Sequence, residues 1–202
     1  MAMPKNRTDK LLALVRELGV LRPRDLDAHG ISRIYLKMAV EQKKVERAGR
    51  GLYRLPDAEA TEYQAIIESA KRVPHGVLCL LSALQFHGLT TQLPADLWLA
   101  IGEKAWRPKQ EYPPLRVVYF SGKALTEGVE THVIQNVPVR VYSAAKTIAD
   151  CFKYRNKVGL DVAMEALRDG WRQRKAKADD LWHFAKVCRV SNVMRPYLES
   201  LA

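Results

Sequence analysis

Cationic and polar side chains that can bind phosphate are concentrated at the N-terminal end of the chain. Residues 1–55 carry thirteen Lys and Arg against six Asp and Glu, a net charge of +7, whereas the other 147 residues carry a net charge of +4. Lys and Arg form charge-assisted hydrogen bonds with phosphate oxygens, and Arg can also bind a guanine edge through two parallel hydrogen bonds. This pattern predicts a site for a polyanion. Its candidate residues are Ser32, Arg33, Tyr35, Lys37, Lys43, Lys44, Arg47, Arg50 and Arg54.

Residue patterns typical of catalytic sites are missing from the sequence. Gly102 and Gly122 stand alone rather than in a Gly-rich phosphate loop. Asp179 and Asp180 are adjacent, so on a helix they face different ways and cannot act as the Asp-x-Asp pair of a two-metal site. Glu103 lacks the Lys two places on that a nuclease of the Asp…Glu-x-Lys kind needs, and the five His residues lack metal-ligand spacing. We therefore expect no enzymatic activity, no metal and no cofactor.

The other reactive side chains have structural interpretations. Ser82 has no Gly-x-Ser-x-Gly turn around it, and His87, directly before a Gly, is expected at a helix end with its imidazole bonded to carbonyl groups. Lys146 and Asp150 lie one helical turn apart and are most simply an ion pair within one helix. Three cysteines without Cys-x-x-Cys spacing are expected to be buried thiols, namely Cys79, Cys151 and Cys188.

Three short helices are predicted to position the cationic residues. Leu11, Leu14, Val15 and Leu18 recur at helical spacing, with Thr8 placed to cap that helix. A second helix is predicted from Pro23 to His29, because Pro is tolerated at the first helical position. After a turn at Gly30, a third helix is predicted from Arg33 to Gln42, capped by Ser32. Two short helices joined by a Gly turn are typical of a helix-turn-helix.

A β-hairpin is predicted directly after the third helix. The segments 45–48 and 52–55 alternate in character and are joined by Gly49-Arg50-Gly51, whose glycines allow the positive φ of a tight turn. A hairpin in this position is a wing, and it places Arg47, Arg50 and Arg54 where they can reach phosphates or a minor groove. Winged helices also serve as protein-docking modules, so both interpretations stay open at this point.

The third helix is predicted to have an inner face and a DNA-reading half. Leu36, Ala39 and Val40 share the inner face, and Val45 closes the layer. The N-terminal half, which usually enters the major groove, holds four of the candidate residues. Arg33 is suited to reading a guanine edge and Tyr35 to packing on the sugar-phosphate backbone. Which contact is base-specific stays open.

The rest of the chain predicts a second domain of α+β class. Apolar and alternating segments predict strands over 97–101, 115–120, 131–135 and 137–142, and the pattern is helical over 61–71, 82–87, 143–154, 159–174, 179–188 and 192–201. We therefore expect two domains, a winged helix-turn-helix over 1–55 and a C-terminal domain over 60–202 with a small sheet and a helical C-terminal half. The basic run 172–177 is interpreted as the cationic end of a helix.

Two stretches together resemble the AbiEi family of antitoxins. The first is the wing sequence Arg47-Ala48-Gly49-Arg50-Gly51-Leu52-Tyr53. The second is Leu81-Ser82-Ala83-Leu84-Gln85-Phe86-His87-Gly88-Leu89, followed by Val137-Pro138-Val139-Arg140-Val141-Tyr142-Ser143-Ala144-Ala145-Lys146-Thr147-Ile148-Ala149-Asp150. The resemblance covers nearly the whole chain.

This resemblance implies a DNA-binding autorepressor and antitoxin of a type IV toxin–antitoxin, or phage-defence, system. The N-terminal winged helix would bind double-stranded operator DNA at inverted repeats, with a dimer on the DNA as a possibility, and the C-terminal domain would carry antitoxicity. The functional partner would be a nucleotidyltransferase-like toxin, with or without a stable complex. The alternative is a protein-docking winged helix whose C-terminal domain binds and inhibits a partner directly. No apolar run approaches the roughly 20 residues of a membrane span, so we expect a soluble cytoplasmic protein.

Overall fold

Two compact units make up the described part of the chain. The computed structural model describes residues 7–57, 63–109 and 114–200. One unit contains the described residues of 1–74 together with 133–139, and the other contains those of 75–132 together with 140–202. The described residues form both helices and strands, and the predicted α+β class is confirmed. No helix in these ranges is long and apolar enough to cross a membrane.

The first unit has the element order of a winged helix-turn-helix. An isolated antiparallel bridge pairs Leu21 with Tyr53, so the hairpin gains a third, one-residue strand between the first two helices. The hairpin strands pair antiparallel with an irregularity between Arg47 and Gly49, and Gly51 in the turn has φ +70°. The elements are α1 (Arg7–Leu18), α2 (Pro23–Ala28), α3 (Arg33–Glu41), β1 (Glu46–Gly49), β2 (Leu52–Arg54) and α4 (Gln64–Arg72).

The three N-terminal helices share one apolar core. Leu36 and Ala39 of α3 are buried against the inner face of α1, and Val45 closes this layer as predicted. Val40 is only partly buried at its edge. Burying apolar surface contributes about 25 cal/mol per Å², so these contacts stabilise the packing of α3 against α1. The remaining core residues include Leu11, Leu14, Val15, Leu21, Leu26 and Ile31.

The predicted helix caps differ from those in the structure. The first helix already includes Thr8, because α1 begins at Arg7 in the described residues. Ser32 does occupy the position before α3, but its side chain makes no capping hydrogen bond. A side-chain cap is found instead at α2, where the Arg22 N–H donates to the Asp25 carboxylate over 2.8 Å and the Asp25 N–H donates to the Arg22 carbonyl over 2.9 Å. The start of the helix predicted over 61–71 and the predicted domain boundary near residue 60 lie outside the described residues, and α4 itself begins at Gln64.

A second apolar cluster in this unit connects the wing to α4 and the segment 133–139. It contains Val20, Leu52, Ile67 and Val137, each with at most 1% of its surface exposed. The Asn136 side-chain amide donates a hydrogen bond to the Glu17 carbonyl at the end of α1. The back of the wing is therefore covered by residues far away in sequence.

Five strands between residues 77 and 142 form one sheet. Its strand order is β5-β4-β3-β7-β6. The β4–β5 and β3–β7 pairs are parallel, and the β3–β4 pair is antiparallel. Gln135 and Asn136, both with positive φ, turn the chain between β6 and β7. The strands are β3 (Val77–Leu78), β4 (Leu97–Gly102), β5 (Leu115–Phe120), β6 (Val129–Ile134) and β7 (Val137–Tyr142).

One buried helix lies at the centre of the second unit. Every residue of α7 from Ala144 to Phe152 is buried, and α5, α9 and α10 pack around it. Two short helices, α6 and α8, were not predicted from the sequence. The helices are α5 (Leu80–Phe86), α6 (Gly122–Thr126), α7 (Ala144–Lys153), α8 (Arg155–Val158), α9 (Leu160–Arg172), α10 (Ala178–Val187) and α11 (Ser191–Glu199).

Candidate nucleic-acid interface

Two of the predicted residues, Arg33 and Lys37, lie on the exposed outer face of α3. Leu36 and Ala39 point into the core and Tyr35 and Val40 lie at its edge, so the remaining positions of α3 point outward. This outer face carries two cations, two apolar side chains and one acid at helical spacing, namely Arg33, Ile34, Lys37, Met38 and Glu41. Such a face can contact phosphates with its cations and base edges with its central side chains.

Arg33 is exposed but already has a partner. Its guanidinium lies 2.8 Å from the Asp27 carboxylate at the end of α2, and both side chains are more than half exposed. Exposed pairs of this kind contribute about 0–1 kcal/mol. The pair therefore orients the Arg33 guanidinium, but it is weak enough for Arg33 to exchange Asp27 for a phosphate or a guanine.

The two residues beside Arg33 in the sequence have different surroundings. Ser32 is exposed at the N-terminal end of α3. Tyr35 is half-buried against the three-helix core, and the Arg7 guanidinium lies 6.0 Å from the centre of its ring. Tyr35 thus packs within the unit, and only part of its ring is available to a ligand.

The lysines of α3 and of the following turn are the least constrained cations. The Lys37 ammonium is 3.9 Å from the Glu41 carboxylate, at the limit of an ion pair. Lys43 and Lys44 follow the helix and are exposed, and Lys43 takes a positive φ of 54°. In the turn, the backbone N–H of Lys44 bonds to the Ala39 carbonyl, so the backbone is fixed and the side chains are free to follow a phosphate.

The three arginines of the wing are not equivalent. Arg50 is exposed at the tip of the hairpin, and Arg47 is exposed with its guanidinium 5.9 Å from the centre of the Tyr53 ring. Arg54 is different, because it is largely buried and its Nε donates to the Glu46 carboxylate over 2.6 Å. Arg54 therefore joins the two strands of the wing, whereas Arg47 and Arg50 present charge to solvent.

An open groove of about 520 Å³ runs between α3 and the wing. It brings together Arg33, Lys37 and Arg47 from the predicted set. The other six predicted residues do not line it. Its remaining walls are Pro23, Leu36, Val40, Glu41 and Tyr53.

Three residues of this surface were missed by sequence reasoning. Ile34 and Met38 are 59% and 41% exposed, although both are large apolar side chains. The sequence could have shown this, because Ile34 and Met38 are four residues apart and lie on the opposite side of the helix from Leu36 and Ala39. Asp27 was missed because its contact with Arg33 depends on the turn between α2 and α3.

A buried charge cluster holds α2 in place behind this surface. The Lys71 ammonium of α4 is 3.7 Å from the Asp25 carboxylate, and only 12% of the Lys71 side chain is exposed. Burial lowers the pKa of Lys71, and the neighbouring Asp25 opposes that shift. Burial also lowers the pKa of Arg22, which begins this turn. These side chains stabilise the unit and are too enclosed to serve as DNA contacts.

The reactive side chains of the second unit have partners within the protein. The Ser82 hydroxyl accepts the Trp98 N–H over 2.9 Å, and the His87 Nε2 lies 2.7 Å from the Tyr142 carbonyl, as expected for a helix-terminal His. The three cysteines are free and buried as predicted. Burial raises the pKa of each of these thiols, which disfavours the reactive thiolate. In the described ranges, no group of three or more His, Cys, Asp or Glu is placed to hold a metal ion.

The predicted Lys146–Asp150 pair is confirmed, but it lies inside the protein rather than on its surface. The Lys146 ammonium is 2.8 and 2.6 Å from the two Asp150 oxygens and lies over the Tyr142 ring at 4.2 Å. The Cys188 thiol donates to Asp150 over 3.2 Å. Burial raises the pKa of Asp150, and Lys146 opposes that shift.

Residues 9–56 match a family model described as "Transcriptional regulator, AbiEi antitoxin". The resemblance predicted from the sequence is confirmed over that segment, which contains all nine candidate residues. The match supports a role as an antitoxin and transcription regulator. No curated protein gives a significant match to the chain.

Proposed function

We propose that this protein is a DNA-binding autorepressor and the antitoxin of a type IV toxin–antitoxin system. The observation that carries the proposal is the exposed cationic surface of α3 and the wing, within the segment that matches a family of regulators and antitoxins. In this proposal, residues 1–55 bind the operator and residues 60–202 act against a nucleotidyltransferase-like toxin. The protein works in the cytoplasm and catalyses no reaction.

The physical mechanism starts with phosphate neutralisation. Lys37, Lys43, Lys44, Arg47 and Arg50 displace counterions from the duplex, which supplies affinity without sequence preference. The outer face of α3 then lies along base edges in the major groove while the wing contacts the flanking backbone. A dimer bound to inverted repeats would place two such helices one helical turn of DNA apart.

Electrophoretic retardation of DNA tests this proposal. The full-length protein is titrated onto a duplex from upstream of its own gene and onto a random duplex of equal length, at low salt. We expect both to be retarded, with the upstream duplex bound about 10³-fold more tightly or better, as is typical of specific recognition. A folded protein that retards neither duplex would overturn the assignment.

Co-expression with the product of a neighbouring nucleotidyltransferase-like gene tests the antitoxin function. We expect the full-length chain to restore growth. The double variant Arg33→Ala/Arg50→Ala should restore it equally well, because the proposal places antitoxicity outside residues 1–55. Continued growth arrest with the wild-type chain would contradict the proposal.

The second candidate function is a protein-docking winged helix whose C-terminal domain inhibits a partner directly. The observation in its favour is the pair of exposed apolar side chains on α3, since such surfaces also mark protein interfaces. Co-elution with the neighbouring gene product, without retardation of any duplex, would favour this candidate.

A further inference from the structure

Ile34 and Met38 form an exposed apolar strip beside the charged residues of the outer face of α3. They are 59% and 41% exposed and belong to neither of the two apolar clusters described above. The contacts of α3 with the three-helix core are made by Leu36 and Ala39, with Tyr35 and Val40 at its edge. A single exposed apolar residue is ordinary, but two of them one turn apart make a continuous strip.

Cations border this strip on the same helix face. Arg33 precedes Ile34 and Lys37 precedes Met38, and both cations are exposed. Arg33 is directed by its 2.8 Å contact with Asp27. A surface with apolar side chains beside a row of cations complements one side of a duplex groove, where the phosphate backbone runs next to the base edges. It complements an apolar protein surface poorly, because the exposed charges of the Arg33–Asp27 and Lys37–Glu41 pairs beside it would lose water on contact.

We propose that Ile34 and Met38 read thymine methyl groups in the major groove, so that the operator half-site contains thymines at the positions they reach. The inference rests on the proposed function and adds the base class that α3 selects. The thymine 5-methyl is the apolar group that the major groove displays, and apolar side chains recognise it by direct contact. No hydrogen bond is needed, which fits two side chains that offer none.

The spacing of the two side chains limits where the thymines lie. Four residues of α-helix rise about 6 Å along the axis. Successive base pairs of B-DNA are about 3.4 Å apart. The two side chains therefore reach methyl groups about two base steps apart, on one strand or on opposite strands.

Replacing thymine with deoxyuridine tests the proposal because it removes the methyl and nothing else. The full-length protein first selects its preferred sequence from a pool of random duplexes. Each thymine of the selected half-site is then replaced singly by deoxyuridine, and the dissociation constants are measured at fixed salt. We expect one or two positions to lose about fourfold in affinity each, the effect of one buried methyl-sized group.

Variants of the two residues assign the effect to them. Ile34→Ala and Met38→Ala should each weaken binding to the thymine duplex and abolish the deoxyuridine effect at one position. Leu93→Ala is the control, since Leu93 is 83% exposed in the other unit and should leave every constant unchanged. Thermal unfolding checks that all three variants stay folded.

The outcomes separate this proposal from the proposed function. If tight binding persists with every thymine replaced, or if the selected half-site lacks thymines at this spacing, the methyl contact is wrong and DNA binding stands. A deoxyuridine effect that is unchanged in both alanine variants also overturns the assignment. If the wild-type protein selects no sequence, the proposed function itself fails. Variants that keep full DNA affinity but lose self-association would identify the strip as an interface between copies of this chain.

Discussion

Individual cations of the proposed DNA-binding surface differ in how they are held, and this decides what each can do. Arg33 is directed by Asp27, Arg54 is bonded into the wing, and Arg50 is free at the hairpin tip. A directed guanidinium suits recognition of one base edge, whereas a free one follows the phosphate backbone. The sequence predicted Arg50 and Arg54 as equivalent residues of the wing, because it shows charge but not the carboxylates that face it.

Arg33 and Arg50 should therefore affect DNA binding differently. Arg50→Ala should weaken binding to operator and random duplex by similar factors, because phosphate contacts do not depend on sequence. Arg33→Ala should cost about 1–3 kcal/mol mainly on the operator. Dissociation constants for both duplexes at one salt concentration check this. An unchanged preference for the operator after Arg33→Ala would reject a base-reading role.

Asp27 offers a second test at the same place. Asp27→Asn removes a negative charge beside the duplex and releases Arg33, so affinity for random DNA should rise a few-fold. Discrimination between operator and random duplex should fall, because Arg33 loses the carboxylate that directs it. The two dissociation constants give both quantities, and Asp9→Asn, an exposed carboxylate on α1, is the matched control. A rise in discrimination would contradict the directing role of Asp27.

At the scale of elements, local patterns in the sequence predicted most of the structure. The α3 helix and the wing were predicted because apolar spacing and two glycines mark them locally. The bridge between Leu21 and Tyr53 was not, because it is a single pair between distant residues. The depth of the Lys146–Asp150 pair was also missed, because the i,i+4 spacing is the same on a surface helix and on a buried one. Burial depends on the elements that surround α7.

This buried pair should be important for the stability of α7 and the elements around it. Lys146→Met leaves the Asp150 carboxylate buried without its cation, which typically costs about 3–5 kcal/mol. Since burial already raises the pKa of Asp150, the loss should be smallest well below the ordinary Asp pKa of about 3.9, where the carboxyl is protonated in both the folded and the unfolded state, and should grow as the pH rises. Urea unfolding at several pH values measures this.

A double variant provides the control for that experiment. Lys146→Met/Asp150→Leu removes both charges, so most of the stability should return and the added pH dependence should disappear. Equal losses in the single and double variants would show that packing over the Tyr142 ring matters more than the charge pair.

At the scale of the whole molecule, the cations that contact phosphate, rather than the whole excess charge of +11, should govern how binding depends on salt. Each phosphate contact contributes a slope of about −0.9 to a plot of log affinity against log salt. The double variant Lys43→Ala/Lys44→Ala should make that slope shallower by the amount that about two phosphate contacts contribute, equally for operator and random duplex. Lys104→Ala/Lys109→Ala in the other unit is the matched control. Equal changes of slope in the two double variants would show that the net charge of the whole chain, rather than contacts at Lys43 and Lys44, determines the salt dependence of binding.

The chain passes between the two units three times, at residues 74–75, 132–133 and 139–140. A single proteolytic cut therefore cannot release either unit intact. A fragment that stops at Leu55 also lacks Ile67 and Val137, so Val20 and Leu52 lose the side chains that shield them from water. A chimera that takes only its first 55 residues from another protein would therefore also have to match the 133–139 segment, because that segment packs against the wing.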